Sequence, residues 1–328
     1  MRLMTYNIEH FNRAFAKDNS LNTDEDSVEK LTAVAQIIAA IDPDLIGITE
    51  APNSGGDQSA VDKLQNFAAH HNLRQNAAMT GYDSRGTQEI ALLYDPTVVT
   101  AVHDPGGSTT AKRNPSFNRQ FEVDSDGDGI KEIYNHYRPP LEARITRADG
   151  GADFWVIVVH AKSKGIFDAM DRANFDRTSE RNRRKLFAEC TSIRQRVDEF
   201  LDQNRPTAVM GDINDGPGFD FYEKRFGRSA VEIIMGDLWN PRGLLNNHIG
   251  RPKWGRFGWE PSSARFQDTF THDMVNVIID HIMASQQITP LNPDAAKVWN
   301  PYADRQSDAV KKRYKVASDH FPVTLDIA

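Results

Sequence analysis

Apolar and polar positions alternate through "RLMTYNIE" at residues 2–9, the two-residue period of a strand with one buried face. "VEKLTAVAQIIAAI" at 28–41 changes to helical spacing, and Pro43 closes the segment. A buried-strand run, "DLIGITE", follows at 44–50, then a second helical pattern, "QSAVDKLQNFAAHH", at 58–71. "EIALLYD", "LEARIT" and "FWVIVVH" read as strands. The longest helix pattern covers 178–204, with Leu186, Phe187, Ile193, Val197, Phe200 and Leu201 along one stripe. "PTAVMGD", "VNVIIDHIMAS" and "PVTLDI" complete the strands. Helices are too few for strict strand–helix alternation, which predicts two packed mixed sheets flanked by helices. The polar stretches 104–118, 161–177 and 240–273 lack the composition of linkers, so one domain over 1–328 is expected, with these loops shaping a pocket.

Composition narrows the function more than the fold. The 328 residues carry 39 Lys+Arg against 46 Asp+Glu, a net charge of −7, which argues against coating nucleic acid by bulk charge and leaves room for a local basic groove. A single cysteine, Cys190, excludes an intramolecular disulfide. No apolar run has the ~20 residues of a membrane helix. "MRLMTYNIEHF" has no signal-peptide core, so the expected location is the cytoplasm unless a leader precedes this sequence.

Chemistry enters through where the polar residues fall. Asn7 and Glu9 end the first strand pattern and Glu50 the second; His160 ends "FWVIVVH"; Asp212 and Asn214 end "PTAVMGDIN". Asp280 stands inside "VNVIIDHIM", and Asp319 with His320 precedes the last strand. A buried carboxylate without a partner costs several kcal/mol or becomes neutral, so polar groups at the ends of several apolar strands point to one shared site. The donors are oxygen-rich and thiol-free, which favours Mg²⁺ or Mn²⁺, and the two histidines add groups for proton transfer or phosphate contact. Taken singly, each residue also has a structural reading: Asp212 as a turn former, Glu50 as a loop cap, His160 as a satisfied core histidine, Asp280 and His281 as a hydrogen-bonding pair.

These segments together resemble the endonuclease/exonuclease/phosphatase superfamily. "TYNIE" resembles its opening strand, and "DLIGITE" the strand ending in the metal-binding glutamate. "VVHAKSKG", "VMGDIND", "IIDHIMAS" and "ASDHFPV" are similar to its H-x-K-S, GD-x-N, DHI-x-x-S and SDH-x-P-V blocks, in family order. The resemblance implies a four-layer α/β/β/α sandwich with its site at one end of the paired sheets. It also implies Glu50 as principal metal ligand, aided by Asn7, Asp319 and, as in some members, Glu9. Asp212 and Asn214 would orient water and phosphate, His320 act at the phosphate or the water's proton, Asp280 fix the tautomer of His320, and His160 contact the phosphate. Lys162 and Arg138 are further phosphate contacts by family position. The implied reaction is in-line attack of water on a phosphodiester, with either Asp212 or His320 as base.

The alternatives are a phosphomonoesterase acting on a small molecule or lipid headgroup, and a non-catalytic binding protein; the latter should have lost one of Glu50, Asp212, Asp280 or His320, and all are present. Nucleic acid is one candidate substrate. Arg172, Arg177, Arg181, Arg183 and Arg184 read either as phosphate contacts or as a solvated helix start. Trp254, Phe257 and Trp259 read as stacking groups or loop anchors. "VDSDGDGIKE" places Asp124, Asp126 and Asp128 like the first half of a calcium loop, but position twelve is Asn135, and the flanks read as strands. A structural Ca²⁺ and an acidic hairpin tip both remain open there.

Overall fold

The computed structural model describes residues 1–84, 87–108, 110, 114–166, 171–218, 220–249, 261–268 and 271–328. Asp24, Ser59, Asp171, Ser229 and Ser307 each cap a helix through a side-chain oxygen that accepts a first-turn backbone N–H. The helices are α1 (Glu25–Ile41), α2 (Ala60–His70), α3 (Arg172–Asp202), α4 (Ala230–Met235) and α5 (Asp308–Ala317). The long helix starts at Arg172 rather than 178 because Asp171 supplies its cap, accepting from Asn174 N at 2.7 Å. Among the described residues no helix is long and apolar enough to cross a membrane.

Two six-stranded sheets form the centre. In the first, β15 (Ala296–Val298), β16 (Val323–Asp326), β1 (Arg2–Asn7), β2 (Leu45–Ala51), β4 (Glu89–Tyr94) and β3 (Ala77–Thr80) lie in that order. In the second the order is β11 (Leu245–Asn247), β14 (Asp280–Ser285), β10 (Thr207–Asp212), β9 (Phe154–His160), β8 (Leu141–Arg147) and β5 (Val99–His103). Each sheet is mixed: β1 runs parallel to β2 and antiparallel to β16, while β10 runs parallel to β9 and antiparallel to β14. Two small hairpins stand outside, β6 (Gln120–Val123) with β7 (Glu132–Asn135), and β12 (Ala264–Gln267) with β13 (Met274–Val277).

Alternation along the strands divides the core into layers. Met4, Tyr6, Ile46, Ile48, Ala91 and Leu93 pack outward against α1, α2 and α5. Leu3, Leu45, Leu92, Val156, Val158, Ala208, Met210, Ile282, Val323 and Leu325 fill the space between the sheets. Ile157, Val159, Val209 and Met283 face α3 and α4. The result is the α/β/β/α sandwich. Gly47 sits where the sheets approach closely: a Cβ there would come within 2.8 Å of Met210.

One expected element is divided. "VNVIIDHIMAS" is two strands, β13 and β14, because Ile278 and Ile279 leave the hairpin before the chain joins the second sheet. Asp280 therefore opens a strand rather than lying inside one. The stretch around "DSDGDG" is the tip between β6 and β7, where Asp124 accepts from the N–H groups of Gly127 and Gly129, and Asp126 pairs with Arg184 at 2.6 Å.

Next to this hairpin His136 is buried, 3% exposed, with Nε2 3.2 Å from Ser192 Oγ. Burial, then the charges of Lys185 and Arg196, lowers its pKa to about 3. An unfolded histidine takes its proton near 6.5, so the unfolded chain binds more protons between about 3 and 6.5 and this site's share of stability is lost as pH falls through that window. Denaturant midpoints measured from pH 7.5 down to 4.5 should fall less steeply in His136→Gln than in the parent.

Candidate active site

The inward-facing row of each central strand ends in a polar group. Asn7 follows Leu3 and Thr5 on the inward face of β1; His160 follows Val156 and Val158 on β9; Asp212 follows Ala208 and Met210 on β10. Asp280 precedes Ile282 and Ala284 on β14. Register then sets them side by side, since Asp212 is the pairing partner of both His160 and Asp280. Gly211 allows this closeness: its φ is +140°, and a Cβ would lie 1.9 Å from Val159 O. Across the sandwich Asn7 Nδ2 donates to Asp212 Oδ2 at 3.0 Å, tying the two sheets together.

His320 completes the floor. Its Nδ1 lies 2.8 Å from Asp280 Oδ2, which also accepts from Ser263 Oγ at 2.8 Å. Asp212, Asp280 and His320 each offer an atom within 4.8 Å of the others. Burial alone would lower the pKa of His320, but the charge and hydrogen bond of Asp280, then Asp212 and Asp319, raise it to about 10. Burial and the charge of Asp280 push Asp212 up to about 7, against the pull of His320, Asn214 N and Asn7. His160 lies 3.5 Å from Asp212, and burial with the charges of Arg138 and His320 drives its pKa well down.

Above this floor lies an acidic rim. Glu50, Asp319 and Glu9 are increasingly exposed, with side chains 12, 32 and 44% accessible. Glu50 sits at an irregularity in the β2–β4 pairing with φ +58°, a turn that re-aims a side chain which plain alternation would send to the outer face. His10 N donates to Glu50 Oε2 at 2.8 Å. Burial, then the charges of Glu9, Glu50 and Asp280, raises the pKa of Asp319, with His320 opposing. Ser318 holds rim and floor in place: its Oγ donates to Asn7 O at 2.8 Å and accepts from Glu9 N and His320 N at 3.1 Å each.

Asn7, Glu9, Glu50, Arg138, His160, Lys162, Asp212, Asn214, Asp319 and His320 line one cleft of about 1470 Å³, and Asp280 backs His320. Arg138 donates to the Gln88 side chain and, at 3.2 Å, to Ala161 O, which also accepts from Asn214 Nδ2 at 3.1 Å. Lys162 lines the same wall, its N–H donating to Glu189 Oε2 at 2.8 Å. The arginine cluster largely follows its structural reading: Arg172 pairs with Asp176, Arg183 with Asp220, and Arg184 with Glu180 and Asp126. Trp254, Phe257 and Trp259 lie outside the described residues. Sequence reasoning missed Ser263, Ser318, His10, Gln88 and Glu189. "SDH" carried a signal for Ser318; the others act through contacts between segments remote in sequence.

A divalent cation fits these residues. Oxygen donors dominate, and the one thiol, Cys190, is buried on the inner face of α3. Asn7 Oδ1 and Asp319 Oδ1 are buried atoms with no hydrogen-bond partner, and Asn7 is only 1% exposed. A buried acceptor without a hydrogen bond is costly, and oxygens of this kind suit a hard cation.

The chain belongs to the Endonuclease/Exonuclease/phosphatase family, whose model matches residues 4–320. Its members hydrolyse phosphoesters with the help of a divalent metal, and this chain is an enzyme of that class. Among solved structures, truncated TDP2 from Caenorhabditis elegans is similar at 13% identity over 99% of this chain and 96% of that one, with TM-score 0.52. An endonuclease/exonuclease/phosphatase family protein from Bacteroides thetaiotaomicron is 14% identical over 100% and 94%, with TM-score 0.51. A functionally unknown conserved protein from Enterococcus faecalis V583 is 18% identical over 100% and 99%, with TM-score 0.48. At such identities the likeness is one of fold. No curated protein sequence matches significantly.

Removing the hydroxyl of Ser318 would leave the N–H groups of Glu9 and His320 without their partner. Ser318→Ala should therefore lower stability by about 1–3 kcal/mol, measured by chemical denaturation, and lower turnover as well.

Proposed function

We propose that the chain is a Mg²⁺- or Mn²⁺-dependent phosphodiesterase in which water attacks phosphorus in line. The observation that carries this reading is the Asp212–Asp280–His320 group, set at the end of the inter-sheet layer directly below an acidic rim. Glu50, Asn7, Asp319 and Glu9 would hold the cation, which supplies positive charge to the phosphate oxygens when bound. The remaining chemistry belongs to the chain. Asp280 accepts from His320 Nδ1 and fixes the ring, so Nε2–H is the donor left for a phosphate oxygen. Asp212 is held by Asn7 Nδ2 on one oxygen and by Asn214 N, at 2.8 Å, on the other. Fixed in this way it can receive the proton of an attacking water, a choice favoured by His320 being the cationic partner of Asp280. His160, Asn214, Lys162 and Arg138 donate to the remaining phosphate oxygens.

A diester is favoured over a small monoester by the size of the cleft, about 1470 Å³ against the ~300–1,000 Å³ usual for small-molecule pockets. The walls extend beyond the floor to Tyr137 and Lys185 on one side and to Phe266 and Asn276 on the other.

The test is an activity panel in Mg²⁺ and Mn²⁺ with bis-p-nitrophenyl phosphate, p-nitrophenyl phosphate, single- and double-stranded DNA and inositol phosphates. Diesters should be hydrolysed in preference to p-nitrophenyl phosphate. His320→Ala and Glu50→Gln should each reduce turnover by about 10²–10⁴-fold without loss of fold. Calorimetry should separate the two: Mn²⁺ binding weakens in Glu50→Gln and persists in His320→Ala. Full activity in either variant, or hydrolysis of monoesters alone, overturns the reading.

A further inference from the structure

Arg138 is a cation set among carboxylates that makes its hydrogen bonds to neutral groups. The charges of Glu189, Asp212 and Glu50 all reach it, yet among the described residues no carboxylate hydrogen-bonds its guanidinium. Its Nη1 donates to Gln88 Oε1, and its Nη2 to Ala161 O at 3.2 Å. Nε is buried without a partner, and the residue lines the cleft. Arginine offers only donors, so the atom Gln88 turns towards it is the amide oxygen.

Gln88 is itself fixed from behind. It stands directly before β4, whose first residue, Glu89, pairs with Ala51 beyond the irregularity that carries Glu50. Its φ of +70° is a left-handed conformation uncommon for a residue with a side chain, and its N–H donates to Asn53 Oδ1 at 3.0 Å. Asn53 is held in turn at both backbone groups: its N–H donates to Asn12 Oδ1 at 2.8 Å, and its carbonyl accepts from Lys63 Nζ at 3.0 Å. Lys63 is wholly buried, and its other acceptors, Asn12 Oδ1 and Gln58 Oε1, are again amides. A chain of contacts thus runs from α2 through Asn53 and Gln88 to Arg138, and every acceptor along it is uncharged.

That neutrality has a consequence for an anion in the cleft. A carboxylate in direct contact with arginine forms a charge-assisted pair. At position 88 it would add to the pull of Glu189, Asp212 and Glu50 and leave less positive charge for a substrate. An amide oxygen orients the guanidinium without taking its charge. We propose that Gln88 is a positioning residue for phosphate recognition, a neutral acceptor that holds Arg138 in place and leaves its charge to a phosphate oxygen. This rests on the placement of Arg138 at the phosphate in the proposed function, and adds that residue 88 sets how strongly that contact acts.

The test reads binding as well as turnover. Calorimetry measures the affinity for inorganic phosphate in Mg²⁺, and kinetics give kcat and KM for bis-p-nitrophenyl phosphate. Gln88→Leu removes the acceptor and should weaken phosphate binding and lower kcat/KM by about fivefold to tenfold. Gln88→Glu keeps an acceptor but adds a charge, and should weaken phosphate binding by at least about tenfold. In an Arg138→Gln background Gln88→Leu should change either quantity by less than about twofold, because the group it acts through is gone. Mn²⁺ affinity should be retained in Gln88→Leu. Equal losses with and without Arg138, a Gln88→Glu variant that binds phosphate like the parent, or loss of Mn²⁺ binding in Gln88→Leu overturns the positioning role. Failure of the underlying reading looks different. An Arg138→Gln variant that matches the parent removes Arg138 from the phosphate, and with it this role for Gln88. A parent inactive on bis-p-nitrophenyl phosphate defeats the phosphodiesterase reading, and the phosphate-binding cycle then decides the role of Gln88 by itself.

Discussion

The hydrogen bond from Asn7 to Asp212 joins two sheets whose shared layer is built mostly of apolar side chains. Leucine, isoleucine, valine, alanine and methionine dominate the inter-sheet layer, and its last row carries Asn7, His160, Asp212 and Asp280. Burying such a row is expensive unless every member finds a partner, and the partners here lie on different strands: Asn7 to Asp212, His320 to Asp280, Ser263 to Asp280. Rigidity of the sandwich is therefore transferred to the site. Side chains on the ends of packed strands cannot drift independently, which is what placing a water and a phosphate requires.

The electrostatics follow from that burial. An acidic protein that hydrolyses a phosphoester must draw in an anion, and under the proposed function two sets of positive groups serve here. Asp280, held by His320 and Ser263, keeps an imidazolium positive where water is largely excluded. On the wall, Arg138, Lys162 and Lys185 stand about Glu189, and Arg138 also faces Asp212 and Glu50. Between them the acidic rim of Glu9, Glu50 and Asp319 repels anions by itself and so calls for a cation before substrate can settle. Under the proposed function, a cation held by Glu50, Asn7, Asp319 and Glu9 would offset the charge of that rim.

Much of the fold was legible because alternation and helical period are local. "RLMTYNIE", "DLIGITE", "FWVIVVH" and "PTAVMGD" each end in the residue that later lines the cleft, and the parity of each strand already assigns Asn7, His160 and Asp212 to the inward face. Glu50 was legible as a candidate but not by parity, since alternation places it outward and only its left-handed backbone turns it round. "VNVIIDHIMAS" misled because apolar runs on both sides of Asp280 and His281 hide a change of sheet at Ile278–Ile279. Ser263, Gln88 and Glu189 were invisible for a different reason: each matters through one tertiary hydrogen bond, and nothing in the local pattern marks a serine, glutamine or glutamate that will make it.

Backbone strain recurs around the cleft, as it does at turns and helix ends such as Asp42 and Asn204. His10, Glu50, Gln88 and Asn214 all adopt positive φ without being glycine, and all four line the cleft. Each such conformation costs on the order of 1–3 kcal/mol and persists only where surrounding contacts over-determine it. Those contacts are visible: Glu50 accepts from His10 N, Gln88 N donates to Asn53 Oδ1, and Asn214 is held between Asp212 and Ala161. Lys63, buried against Asn12, Asn53 O and Gln58, clamps the segment that follows Glu50 from behind. A relaxed backbone at these four positions would gain local stability and lose the convergence of their side chains. The strain is thus a consequence of asking strand ends from two sheets to face one small volume, and the hydrogen bonds behind the cleft are what keep it there.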